Sequence, residues 1–204
     1  MRVNMKIFSR IVTLALLAVL FSGCSSNLVK ESASNDIKPP KSNMASIVFM
    51  RNAFTSNMIN EEVFEIIDDK PQMIGALPNG TKFVYRTPPG HKVFMTHGTR
   101  VDFMIADVLP GKTYYVITRP TYATGIFIPT PIRKTSGRYN MQMPEFTQWK
   151  EATQLMELNK DEAVKWFAGN KEKIVTMYEQ TWGRFQQKNP DDLAQCTLNP
   201  QDGI

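Results

Sequence analysis

The chain has 204 residues, with 24 lysines and arginines against 19 acidic residues and two cysteines. That length suits one domain, or one domain with an appendage, and no run of Lys and Arg supplies the clustered basic face that a nucleic-acid binder needs. The first 23 residues hold Arg2, Lys6 and Arg10 and no acidic side chain, so residues 24–204 are near neutral, with 21 basic residues against 19 acidic ones. Residues 11–21 are apolar except for Thr13, and Ser22, Gly23 and Cys24 come next. A basic start, an apolar run and a small-residue site read as a secretory signal. The run is too short for the roughly 20 residues of a membrane-spanning helix, so residues 1–23 are expected to be cleaved as a signal peptide.

The stretch Leu20-Phe21-Ser22-Gly23-Cys24 resembles the lipobox of bacterial lipoproteins, with Phe21 standing where leucine is usual. The resemblance implies that Cys24 receives a thioether-linked diacylglycerol, is exposed by a dedicated peptidase and is then N-acylated. Each buried methylene contributes about 0.8 kcal/mol, so several acyl chains hold durably where one holds weakly. Ser25, in place of aspartate after the cysteine, implies by the same family's sorting rule an outer-membrane location facing the periplasm. With Cys24 lipidated, Cys196 has no intrachain partner. It reads either as a reactive thiol or as a small buried apolar residue.

Residues 24–45 are rich in Ser, Asn, Lys and Pro and end near Pro39-Pro40, which reads as a flexible tether with an average reach of about 25 Å at ~5–6 Å times the square root of its length, the alternative being a segment that docks onto the domain. Residues 46–143 then alternate short apolar runs with turn residues. Strands are predicted over 46–51, 63–68, 72–77, 82–87, 91–97, 100–109, 112–119 and 126–132. Asn79-Gly80 suits the positive-φ positions of a tight hairpin, while Pro89-Gly90 and Pro110-Gly111 join a fixed φ to a permissive residue. Asp68 to Pro71 reads as a turn with a solvated acidic tip. Several strands at close spacing argue for an antiparallel β-sandwich of immunoglobulin or transthyretin-like type. Two strands are apolar on both faces: Ile47 and Phe49 alternate with Val48 and Met50, and Phe103 and Ile105 with Met104 and Ala106. A sandwich strand with one wet face does not have that pattern, so the C-terminal third is expected to cover the second face.

Residues 144–204 change period. The segment 152–158 reads as helix or as one more strand. Asn159 is placed to cap a helix over 160–168, with Glu162 at the reciprocal position and Gly169 ending it. A second helix over 171–187 aligns Ile174, Tyr178, Thr181 and Phe185, and Pro190 begins a short third one. The fold class is therefore mainly β with C-terminal α, two or three helices bracing the sandwich, and Trp166 and Trp182 are expected to be core anchors.

Pro88-Pro89-Gly90-His91 and Pro110-Gly111-Lys112-Thr113-Tyr114-Tyr115-Val116, with the ending Leu198 to Ile204, look like an uncharacterised family of bacterial envelope lipoproteins. The resemblance implies a small β-sandwich on a lipid anchor and no reaction. The residues themselves point the same way. His91 and His97 lie six apart on one predicted strand, about 20 Å at ~3.3 Å per residue, too far to share a metal. No CxxC, HxxxH, GxSxG or phosphate-binding glycine motif occurs, and neither metal nor cofactor is expected. The stretch 119–139 stands out. Its prolines resist central sheet positions, and its apolar residues Tyr122, Ile126, Phe127 and Ile128 are flanked by Arg133, Lys134 and Arg138. It reads either as an edge hairpin for a partner, joined by strand addition or resting on anionic headgroups, or as apolar residues packed beneath the C-terminal helices with solvated basic neighbours. The expected function is a non-catalytic binding or structural module for another envelope component, an envelope protein, on a membrane held through Cys24. The alternative is an envelope hydrolase whose site gathers distant carboxylates, such as Asp102 and Asp107, around His91 or His97.

Overall fold

The computed structural model describes residues 27–55, 59–121 and 124–204. Cys24, Tyr122 and the signal reading of residues 1–23 lie outside the described residues. Two mixed sheets pack face to face. The six-stranded sheet runs β1 (Val29–Glu31), β10 (Gln154–Leu158), β5 (Thr81–Thr87), β2 (Ala45–Arg51), β8 (Thr113–Pro120) and β9 (Phe127–Ile132). The five-stranded sheet runs β11 (Thr197–Leu198), β7 (Val101–Val108), β6 (Gly90–His97), β3 (Glu62–Ile67) and β4 (Lys70–Ala76). The helices are α1 (Pro144–Ala152), α2 (Lys160–Gln186) and α3 (Pro190–Gln195). A mainly β sandwich with C-terminal helices is the expected architecture. Within it the pairs β2·β8, β5·β10 and β7·β11 run parallel, where antiparallel neighbours were expected.

The doubly apolar strands explain the layering. Ile47 and Phe49 of β2, with Met104 and Ala106 of β7, meet Phe83, Phe94 and Tyr114 between the sheets. Val48 and Met50 face the other way, under Phe146 of α1. Phe103 and Phe64 pack under Ile174, Tyr178 and Phe185 of α2. Both outer faces are thus covered by residues beyond 143. Lys82, almost wholly buried, fastens α1 by donating from Nζ to the carbonyls of Lys150 (2.7 Å) and Thr153 (2.6 Å) at the helix end, where a cation meets the unpaired carbonyls and the negative end of the dipole.

The two predicted helices are one. Gly169 has open space around the position of a Cβ and sits in the middle of α2. A glycine there costs about 1 kcal/mol relative to alanine, less than the continuous apolar stripe of Trp166, Phe167, Ile174, Tyr178, Trp182 and Phe185 contributes against β3 and β7. Asn159 is the N-cap, but its side chain makes no capping hydrogen bond. Its backbone N–H instead donates to the carbonyl of Leu28 (2.8 Å), and the segment before it is a strand.

That contact belongs to a larger departure. Residues 28–37 are docked on the domain and are not a free tether. Val29, Lys30 and Glu31 pair antiparallel with Leu158, Glu157 and Met156, Leu28 is buried, and Ile37 packs beside Val84 against the α1-side core. The Asn35 amide donates to the Thr153 carbonyl (3.2 Å) and accepts from the Leu155 N–H (2.7 Å). The turn residues also serve differently from expectation. Gly80 and Gly111 have positive φ, 75° and 72°, but they sit where the chain crosses between sheets, β4 to β5 and β7 to β8, and not at hairpins. The tight hairpin is at Asp68 and Asp69, with φ of 49° and 56° between β3 and β4, and its acidic tip is exposed as expected.

Candidate anion-binding cleft

Within the stretch 119–139, β9 is the edge strand of the six-stranded sheet. Proline cannot donate to a neighbouring strand, so the ladder from β9 to β8 rests on Ile128, Thr130 and Ile132, which face Arg119, Ile117 and Tyr115. Phe127, Pro129 and Pro131 alternate with them. The Phe127 carbonyl is already taken by the Thr96 hydroxyl at 2.6 Å. An added strand meets no N–H at 129 or 131, so this edge is guarded against strand addition and does not offer it.

The residues singled out from sequence separate here. Phe127 is fully buried, its ring under the Arg51 guanidinium at 4.3 Å; it is core and not an exposed tip. Ile126 and Ile128 are half-buried and Lys134 is exposed. Arg133 is committed to the fold: its guanidinium donates to the Asp202 carboxylate (2.9 Å) and to the carbonyls of Thr197 and Ala194.

Between β9, the loop after it and α3 lies a cleft of about 330 Å³. Arg119, Arg133, Arg138 and Lys188 line it with a single acid, Asp192, and Ile128 and Cys196 supply apolar wall. Arg119 and Arg138 both lie over the Tyr139 ring, at 4.8 and 5.4 Å from its centre. Arg119 also donates from Nε to the Thr130 hydroxyl (2.9 Å). Among the described residues, no carboxylate comes within ion-pair distance of either guanidinium. Stacking on an aromatic face holds a guanidinium by its plane and leaves its N–H fork directed outward. Lys188 is partly engaged, 3.9 Å from Asp102 and 3.7 Å from the Cys196 sulfur. Burial pushes the Cys196 thiol up, and Lys188 offsets that only in part; the thiol lacks the lowered pKa of a reactive cysteine. The arrangement offers an anion two guanidinium forks over one aromatic ring beside an apolar wall.

The histidines lie elsewhere. His91 faces Asp107 across the strands (2.8 Å) at the surface, and His97 meets Glu62 (2.7 Å) in the interior. Neither this cleft nor a second one, between β4 and α2, is lined by His91, His97, Asp102 or Asp107. Beside His97, Arg51 and Glu61 are both fully buried, Arg51 donating to the Ile59 and Leu77 carbonyls (2.8 Å each) and Glu61 accepting from Thr118 (2.8 Å). Burial pushes Glu61 up to about 8, against the opposing pull of Arg51 and Thr118.

Sequence reasoning found Ile128, Arg133 and Arg138 of this cleft and did not single out Arg119, Tyr139 or Lys188. The one local signal was Tyr139 directly after Arg138, a stacking neighbour already present in the chain. No family model, curated protein or solved structure matches this chain.

Proposed function

We propose that the protein is a lipid-anchored lipoprotein on the periplasmic face of the outer membrane, and that its sandwich is a non-catalytic binding module taking an acidic group of another envelope protein into the Arg119–Arg138 cleft. One observation carries the reading. Two guanidiniums are pinned on Tyr139, without a carboxylate in ion-pair range among the described residues, next to apolar Ile128. Such forks accept a carboxylate in bidentate fashion, and a cleft with four cations against one acid speeds encounter with negative charge. The lipobox-like stretch ending at Cys24 and the Ser25 next to it support the location, and the likeness of Pro88 to His91 and Pro110 to Val116 to envelope lipoproteins supports the class.

The test is a photocrosslinking residue placed at Ile128, Gln195 or Lys30 in intact cells, Gln195 being an exposed residue of the cleft wall. Lys30, on β1, lies at the opposite edge of the same sheet. The expected result is one envelope protein captured from positions 128 and 195 but not from 30, with capture from 128 lost when Arg119→Ala is added. Capture that is the same from all three positions, or that survives Arg119→Ala, contradicts the reading.

A further inference from the structure

The docking of residues 28–37 fixes where the chain leaves the domain. Leu28 is buried and its carbonyl accepts from Asn159, so Cys24, four residues ahead, lies no farther than about 14 Å from it at the limit of ~3.3–3.6 Å per residue. Next to this exit is a second cleft, of about 390 Å³, between β4 and the start of α2. Met73, Leu158, Ala163, Val164 and Phe167 line it, with Lys160 at its rim. Val164 stands 69% exposed, an unusual state for a large apolar side chain in this domain.

We infer that this apolar cleft is a membrane-contact surface, resting on the acyl–headgroup boundary of the bilayer that holds Cys24. The inference rests on the lipid-anchor reading. A bilayer is the occupant favoured by the docking of Leu28: an anchor attached so close to it keeps this face near the membrane. The short link also raises the local concentration of the surface, so a modest apolar contact suffices. Lys160 is the one charged residue of the lining, and its neighbours Lys30 and Lys165 are paired with Glu157 (3.8 Å) and Glu162 (2.8 Å), so the apolar lining carries the contact and lipid charge matters little. Orientation comes from strand order. β1 and β9 are opposite edges of the six-stranded sheet, so at ~4.7–4.9 Å per strand the β9 rim stands about 24 Å from the β1 edge. The basic cleft is then held away from the membrane, toward the periplasm.

The experiment places a nitroxide at position 164 (Val164→Cys in a Cys196→Ser background) on the full-length lipidated protein, reconstituted into phosphatidylethanolamine–phosphatidylglycerol vesicles and, separately, into phosphatidylcholine vesicles. A control label sits at Lys134→Cys. In both lipids the oxygen-to-nickel collision ratio at 164 is expected to exceed that at 134 several-fold. Equal ratios on protein that co-floats with vesicles overturn the membrane contact and leave the anchor standing. Protein that fails to co-float overturns the anchor reading and the inference with it.

Discussion

Arg133 and Asp202 lie 69 positions apart in sequence and 2.9 Å apart in space. The pair clamps the C-terminal turn onto the end of β9, and Asp202 also accepts from the backbone N–H of Lys134 (3.3 Å) and of Asn199 (2.9 Å). Removing one partner of a mostly buried pair strands the other, at a cost of roughly 3 kcal/mol. Arg133→Ala is expected to lower the urea midpoint accordingly. An unchanged midpoint contradicts the clamp.

Arg138 is the contrasting case. It is exposed and its described contact is the Tyr139 ring, so Arg138→Ala is expected to move stability by no more than about 0.5 kcal/mol while abolishing partner capture from position 128. A variant that loses both together shows Arg138 to be structural, and a variant that loses neither removes it from the cleft's function.

Glu61 makes stability depend on pH with a definite sign. Its folded-state pKa is raised from 4.5 to about 8. Between those values the folded chain keeps a proton that the unfolded chain has released, so this contribution to stability is fully present below about 4.5, falls as pH rises, and levels off above about 8. The limiting slope is about 1.4 kcal/mol per pH unit. Urea unfolding at intervals from pH 5 to 8.5 is expected to show the decline in the native protein and a flatter profile in Glu61→Gln. Parallel profiles contradict the assignment.

Deleting residues 160–204 strips the cover from Phe64, Met95 and Phe103, which pack beneath α2. The shortened chain is expected to aggregate, and Phe103→Ala in the full chain to cost about 3–5 kcal/mol. A soluble deletion variant with an unchanged melting temperature contradicts the bracing role of α2.

Local signals in the sequence carried the layers, and distant pairings escaped it. Val48 beside Ile47, and Phe103 beside Met104, announce strands buried on two faces because side-chain direction alternates strictly along a strand. The positive φ at Gly80 and Gly111 was legible too, but not that the chain there changes sheets, since a corner and a hairpin need the same residue. For segment 28–37 the sequence did not decide between tether and docked strand: its partners Thr153, Leu155 and Leu158 are some 120 positions away, and a run of Ser, Asn and Pro looks alike whether solvated or hydrogen-bonded to a remote strand. Phe127 read as either an exposed tip or a packed residue, because Arg51, which covers its ring, comes from a different strand. For the same reason the cleft was half seen, its cations being drawn from β8, the loop after β9 and the end of α2.

The central claim is that Cys24 carries the lipid that holds the β1 edge to a membrane. Labelling cells with radioactive palmitate tests it directly, comparing the native chain with Cys24→Ala. The account predicts label on the native protein, recovered with the outer membrane, and an unlabelled Cys24→Ala chain that keeps residues 1–23. Absence of label from the native protein, or equal label on the variant, contradicts it.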